Sequence, residues 1–82
     1  MITREEIREL MNQILERQGK RTVDDEGETL RSIGFRSLDF SELALRVERR
    51  IGHELNFDAS MLRRISSVGD TLDFFEEVSR RA

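Results

Sequence analysis

The sequence predicts an all-α protein, a small bundle of three principal helices and one short helix with a long loop between the first two principal helices. Three observations favour this class. Apolar residues recur at helical spacing in three stretches, the alternation typical of β-strands persists nowhere, and glycines or capping residues stand at the ends of the stretches. At 82 residues, of which 38% are charged, the chain suits one compact domain, residues 1–82, with a heavily charged surface.

The first helix is predicted close to the start of the chain. Thr3 followed by Glu6 is the signature of a capping box. The apolar residues behind it follow one face of a helix: Ile7, Leu10, Met11, Ile14 and Leu15. Gly19 is predicted to end this helix. Residues 20–36 show no regular period, so they predict a long loop with room for one helical turn near Leu30, and a loop of this length in a small domain is often functional.

The second helix is predicted from about Ser37 to Ile51, with Gly52 closing it. Helical geometry places five apolar residues on one face, which we assign to the core: Phe40, Leu43, Ala44, Val47 and Ile51. Leu38 and Leu45 fall roughly opposite that face. Single exposed apolar residues are common, but two of them on the solvent side of one capped helix favour a surface that docks a partner.

Two more helices are predicted in the last third of the chain. Asp58 is suited to cap a short helix that extends to about Ile65. Ser67 opens the final helix, with Asp70 three residues later as its capping-box partner. The buried stripe of that helix consists of Val68, Leu72, Phe75 and Val78, with Phe74 beside it.

The composition excludes several kinds of chemistry. Without cysteine there can be no disulfide, thiolate metal site or cysteine nucleophile. His53 is the only histidine and has no evident partner, so an enzyme is the least favoured class. The acidic run from Asp24 to Glu26 lacks calcium-loop spacing, and we predict no metal site. A net charge of −3 argues against nucleic acid, and the lack of an apolar leader or membrane-spanning run favours a cytoplasmic protein without a membrane partner.

Ser37 is the one residue whose setting suggests a site for chemistry. A serine at a helix start is ordinarily an N-cap whose oxygen accepts a backbone N–H. Here Gly34 permits a tight approach, Leu38 follows directly on the exposed side, and a long loop precedes the serine. A helix N-terminus also favours a bound phosphodiester, because its free N–H groups and its dipole attract an anion.

The spacing of Leu30, Gly34, Ser37 and Leu38, with the run from Ser67 to Asp70 at the right distance, resembles the acyl carrier protein family over nearly the whole chain. The resemblance implies that a phosphopantetheinyl transferase attaches 4'-phosphopantetheine to Ser37. The cofactor would hold an acyl group as a thioester for acyl-loading and acyl-processing enzymes of fatty acid, polyketide or related biosynthesis. Such a carrier is not a catalyst, and we expect it to be a monomer.

The resemblance also implies which residues meet those enzymes and which shelter the acyl chain. The residues expected in partner docking are Arg36, Leu38, Asp39, Glu42, Leu45, Glu48 and Arg49. The residues expected to line the interior beside an acyl chain are Phe40, Leu43 and Val47.

Two departures from the family pattern predict a specialised carrier with its own partners. Arg36 stands where most relatives have an aspartate that contributes to recognition by the transferase. Typical bacterial members also have a strongly acidic second helix, whereas this one is electrically balanced, and charge patterning of this kind sets partner choice. Its charged residues are Asp39, Glu42, Glu48, Arg46, Arg49 and Arg50. Arg36 itself is either a solvated loop residue or a counter-charge to the phosphodiester.

Two other interpretations stay open. One is a small helical interaction or nucleic-acid-binding domain, in which Ser37 is only a helix N-cap. The arginines that would then face phosphates are Arg46, Arg49, Arg50, Arg63 and Arg64. Net acidity and the lack of aromatic stacking residues in those segments count against this interpretation. The other is a carrier that is never modified, which rests on Arg36 alone.

Overall fold

The computed structural model describes residues 1–81, which form five helices and no strand. In chain order the helices are α1 (Arg4–Arg17), α2 (Leu30–Ile33), α3 (Ser37–Ile51), α4 (Ala59–Leu62) and α5 (Val68–Arg81). Helices α1, α3 and α5 pack against one another, so the predicted all-α bundle is confirmed. None of the described helices is both long and apolar enough to cross a membrane. Ala82, the last residue of the predicted single domain, lies outside the described residues.

The helix bounds agree with the prediction except in the short helix α4. That helix ends at Leu62 instead of extending to about Ile65. Beyond Leu62 the chain continues in tighter turns, in which the Ile65 N–H donates to the Leu62 carbonyl at 3.2 Å. The Ser66 carbonyl then accepts the Leu30 N–H at 2.9 Å, which ties this segment to the long loop. The turn predicted near Leu30 is present as α2, a helix of four residues.

The core lies where α1, α3 and α5 meet. Its fully buried side chains are Ile7, Met11, Ile14, Leu15, Leu43, Val47, Val68, Leu72 and Phe75. Phe40 packs between α3 and α5, with its ring centroid 5.1 Å from that of Phe75 and 5.7 Å from that of Phe74. Phe74 is also buried, since Phe57 covers it edge-on at 5.1 Å. The predicted stripes therefore form the core, with Ile51 only partly buried at its margin.

Both capping boxes predicted from the sequence are formed. The Thr3 hydroxyl accepts the Glu6 N–H at 3.1 Å, and the Glu6 carboxylate accepts the Thr3 N–H at 2.9 Å. At α5 the Ser67 hydroxyl accepts the Asp70 N–H at 3.0 Å, and Asp70 accepts the Ser67 N–H at 3.1 Å. Each hydroxyl cap stabilises its helix by about 1 kcal/mol.

The long loop is fixed by hydrogen bonds to the start of α5. The Glu28 carbonyl accepts the Val68 N–H at 2.9 Å, and the Glu26 carbonyl accepts the Gly69 N–H at 2.8 Å. A side chain at Gly69 would place its Cβ 3.2 Å from the Glu26 oxygen, so glycine permits this close approach. Arg4 adds side-chain bonds, donating to Glu26 at 2.6 Å and to Asp73 at 2.7 Å. These contacts hold the loop, and the residues after it, against the helices.

Candidate functional site

The segment before Ser37 is positioned by a tight turn at the end of α2. Gly34 follows the last helical residue with φ 74° and ψ 26°, a left-handed conformation that favours glycine. Its N–H donates to the Arg31 carbonyl at 3.2 Å, and the Phe35 N–H donates to the Leu30 carbonyl at 2.9 Å. This is the hydrogen-bond pattern of a Schellman motif. Phe35 is buried in the core, so the turn leaves the next two residues, Arg36 and Ser37, at the surface.

Ser37 is the first residue of α3 and does not cap it. The N-cap is Arg36, whose φ of −100° and ψ of 177° are extended and whose side chain makes no capping hydrogen bond. Ser37 is exposed, and its hydroxyl has no hydrogen-bond partner within residues 1–81. The interpretation of Ser37 as only an N-cap is therefore wrong. Because arginine cannot accept a hydrogen bond, the first N–H groups of α3 are also left without a side-chain acceptor.

Asp39 is built into the start of α3 and is only 6% exposed. Its carboxylate accepts the Arg36 N–H at 2.8 Å and the Gln18 side-chain amide at 2.6 Å. Burial raises the pKa of Asp39, but these bonds and the nearby charges of Lys20 and Arg36 outweigh it and lower the pKa below its usual range. The expectation that Asp39 faces a partner is corrected, because the carboxylate points to α1 and the backbone.

The outer face of α3 carries the exposed leucines that its helical pattern predicts. Leu38 is 82% exposed and Leu45 is 53% exposed, which confirms the predicted rotation of the helix. Arg49 follows one turn after Leu45 and is exposed as well. These exposed residues, together with Arg36, which precedes the helix, are here called the α3 face: Arg36, Leu38, Leu45 and Arg49.

The other two acidic residues expected in docking are engaged within the protein. Glu42 forms ion pairs with Arg46 at 2.9 Å and with Arg17 of α1. The hydrogen bond from Arg46 is the largest effect on the pKa of Glu42 and lowers it. Burial opposes this, but the hydrogen bond from Arg17 and the charges of both arginines keep the pKa below its usual range. Glu48 accepts the Leu55 N–H at 2.9 Å, which fixes the chain after α3. Both side chains are half-buried, and Glu42 lies between Leu38 and Leu45 along the helix.

An open groove of about 1090 Å³ runs beside Ser37, between α2, the start of α3 and the chain that follows α4. Its apolar lining comes from Leu30, Phe35, Phe40, Leu62 and Ile65, and its charged residues are Arg31 and Arg36. Of the three residues expected to shelter an acyl chain, Phe40 lines this groove. Leu43 and Val47 are fully buried in the core and do not line it.

Sequence reasoning missed Arg31, Leu62 and Ile65 as neighbours of Ser37. They come together because the Leu30–Ser66 hydrogen bond brings the loop against the chain after α4. No local spacing reports such a contact between distant segments. Within residues 1–81, no group of three or more histidine or carboxylate side chains is placed to hold a metal ion.

Comparison with known proteins gives a match to the fold. No protein-family model matches this chain, and no curated protein matches it. Among solved structures, the crystal structure of an acyl carrier protein from Thermotoga maritima superposes with a TM-score of 0.70. The two sequences are 24% identical, and the match covers 95% of this chain and 92% of that one. The chain therefore has the helical fold of an acyl carrier protein.

Proposed function

We propose that this protein is an acyl carrier, which holds an acyl group as a thioester on 4'-phosphopantetheine attached to Ser37. The observation that carries the proposal is the exposed, unbonded Ser37 hydroxyl at the start of α3 in a chain with this fold. The protein would be a cytoplasmic carrier, not a catalyst. Its partners would be a phosphopantetheinyl transferase and enzymes of fatty acid, polyketide or related biosynthesis that load and process the acyl group.

The residues around Ser37 fit the attachment of a phosphodiester. In transfer from coenzyme A, the Ser37 oxygen bonds to the phosphorus that bears the pantetheine arm while the pyrophosphate bond breaks. The hydroxyl proton is lost and adenosine 3',5'-bisphosphate leaves. Once bound, the group supplies a terminal thiol that carries acyl groups as thioesters.

The chain itself stabilises the new anion. The free N–H groups of the first turn of α3 and the positive end of its dipole lie at the attachment point. Arg36 precedes Ser37, and its side chain is exposed and makes no ion pair within residues 1–81. Lys20 adds a positive charge nearby, since its amine donates to the Gly34 carbonyl at 2.6 Å. No general base is needed in this chain, because the transferase provides it.

We also propose that the α3 face docks the partner enzymes together with Glu42 and Glu48. Leu38 is the most exposed leucine of the protein and lies beside the attachment residue. An exposed leucine pair rimmed by charged groups is the pattern of an interaction site. Tethering then raises the effective concentration of the acyl group at each docked enzyme.

The nucleic-acid alternative loses two of the arginines on which it depends. Arg46 is paired with Glu42, and Arg50 is paired with Glu6 at 3.2 Å. Paired guanidinium groups are less available to phosphates.

The proposal is tested by incubating the protein with coenzyme A, magnesium and several phosphopantetheinyl transferases of different specificity, and measuring intact mass. We expect a gain of one phosphopantetheine by the native protein and none by Ser37→Ala. Ser41→Ala is the matched control, because Ser41 is also exposed, lies one turn along α3 and lines the same groove. It should be modified normally. If every transferase fails on both the native chain and Arg36→Asp, the carrier proposal is wrong.

A further inference from the structure

The charges of α3 balance in the sequence but not on its surface. The helix contains three acidic residues and three arginines. Each acid is bound within the protein: Asp39 by the Arg36 N–H and Gln18, Glu42 by Arg17 and Arg46, and Glu48 by the Leu55 N–H. These carboxylates are buried or half-buried and already hold at least one hydrogen bond or ion pair, so they present less charge at the surface than exposed side chains do.

The arginines of the α3 face are free by contrast. Arg36 and Arg49 are exposed, and neither forms an ion pair within the part of the chain that the structure describes. Arg31 is also exposed and lines the groove together with Arg36 and Ser37. The positive end of the α3 dipole lies at the same point. The exposed acids that give the protein its net negative charge lie on other elements, among them Glu9, Glu16, Asp24 and Asp25.

From this distribution we infer that the α3 face binds acidic docking surfaces on its partner enzymes, in which carboxylates surround an apolar pocket for Leu38 and Leu45. The inference rests on the proposed carrier function and deepens it by assigning the charge of the partners. Exposed guanidinium groups bind carboxylates in a bidentate geometry. Complementary charge speeds encounter, and like charge on a partner excludes it. An enzyme with a basic docking surface would meet the exposed Arg36 and Arg49, whereas the acids of α3 are buried or half-buried.

The two leucines indicate a protein partner and not a nucleic acid. They stand between the arginines along the α3 face, where a protein pocket would cover them and a phosphate backbone would not. The face also lacks exposed aromatic side chains, on which bases would stack.

The inference is tested on the complete protein by reversing charges on the carrier and, separately, on a transferase. The probe is a phosphopantetheinyl transferase with a basic carrier-docking patch, compared with a variant of it in which the basic residues of that patch are replaced by glutamate. The carrier forms are the native chain, the double variant Arg36→Glu/Arg49→Glu, and the control Arg21→Glu. Arg21 is exposed in the long loop, outside the proposed site.

We expect the native carrier to be loaded about tenfold better by the acidic transferase than by the basic one, with the difference in KM. The double variant should show the opposite preference, and Arg21→Glu should behave as the native chain does. The native preference should also weaken as salt is raised.

Two results overturn the inference while leaving the carrier function intact: loading that is insensitive to the charge reversals, or a native preference for the basic transferase. A third is salt-sensitive binding of duplex DNA that the double variant loses, because the face would then serve nucleic acid. If no transferase modifies any carrier form, including Arg36→Asp, both the proposed carrier function and the inference are wrong.

Discussion

The three principal helices begin in two different ways. Helices α1 and α5 each start with a hydroxyl residue that exchanges hydrogen bonds with an acid three residues later, Thr3 with Glu6 and Ser67 with Asp70. Helix α3 keeps only half of this arrangement. Asp39 accepts the Arg36 N–H, but Arg36 offers no oxygen in return. The serine of α3 lies one residue later, where its hydroxyl makes no hydrogen bond within residues 1–81.

The start of α3 therefore depends less on a side-chain cap than the starts of α1 and α5 do. A hydroxyl cap contributes about 0.5–2 kcal/mol, a substantial part of the few kcal/mol by which a small domain is stable. At α3 the chain forgoes that contribution, and the helix start is held instead by the buried Phe35, the turn at Gly34 and the bond between Asp39 and Gln18. Because these neighbours fix the helix, its start does not depend on the Ser37 hydroxyl.

The largest expected effect concerns what holds α3 in place. If α3 is held in place by burial of its inner face, Leu43→Ala should lower the free energy of unfolding by about 2–5 kcal/mol, because Leu43 is fully buried. Leu45→Ala, on the exposed face of the same helix, should change it by less than about 0.5 kcal/mol. Urea unfolding followed by circular dichroism measures both. A loss near zero at Leu43 would show that the helix is held by something other than its core face.

Much of the fold could be predicted because its signals are local. The apolar stripes and the capping boxes of α1 and α5 lie within single helices, so spacing alone located them. The same geometry predicted that Leu38 and Leu45 would be exposed. Asp39 was misjudged because its burial depends on Gln18, which arrives from α1. Phe74 was placed beside the stripe because nothing near it in sequence shows that Phe57 covers it.

The position of Ser37 at the start of α3 could be predicted from the sequence, whereas its role in attachment stays a prediction. A serine at the mouth of a helix reads as a cap, and spacing cannot distinguish the N-cap from the first helical position. Arginine is an unusual N-cap, so the pattern gave no reason to expect that Arg36, and not the serine, would be the N-cap of α3. The groove could not be predicted, since it depends on the contact between Leu30 and Ser66.

A smaller effect distinguishes Ser67, which caps α5, from Ser37, which does not cap α3. Ser67→Ala should lower the free energy of unfolding by about 1 kcal/mol, because the Asp70 N–H loses its acceptor. Ser37→Ala should change it by less than about 0.5 kcal/mol, because the hydroxyl makes no bond in the fold. Thermal and urea unfolding of both unmodified variants measure the difference. Equal losses at the two positions would mean that Ser37 caps α3 in solution, and the contrast between the helix starts would be lost.

The smallest expected effect comes from giving α3 the cap that it lacks. Arg36→Ser places a hydroxyl at the N-cap, where the extended backbone suits capping and Asp39 already supplies the reciprocal bond. Arg36→Ala removes the arginine without adding an acceptor, so the difference between the two variants isolates the cap. We expect Arg36→Ser to be more stable than Arg36→Ala by about 0.5–1 kcal/mol in urea unfolding. Amide hydrogen exchange in the first turn of α3 should slow accordingly, because the new oxygen would accept one of its free N–H groups. Equal stability of the two variants, with unchanged exchange, would show that α3 does not begin at Ser37. An uncapped helix start would then not explain why the Ser37 hydroxyl and the first N–H groups of α3 have no partner.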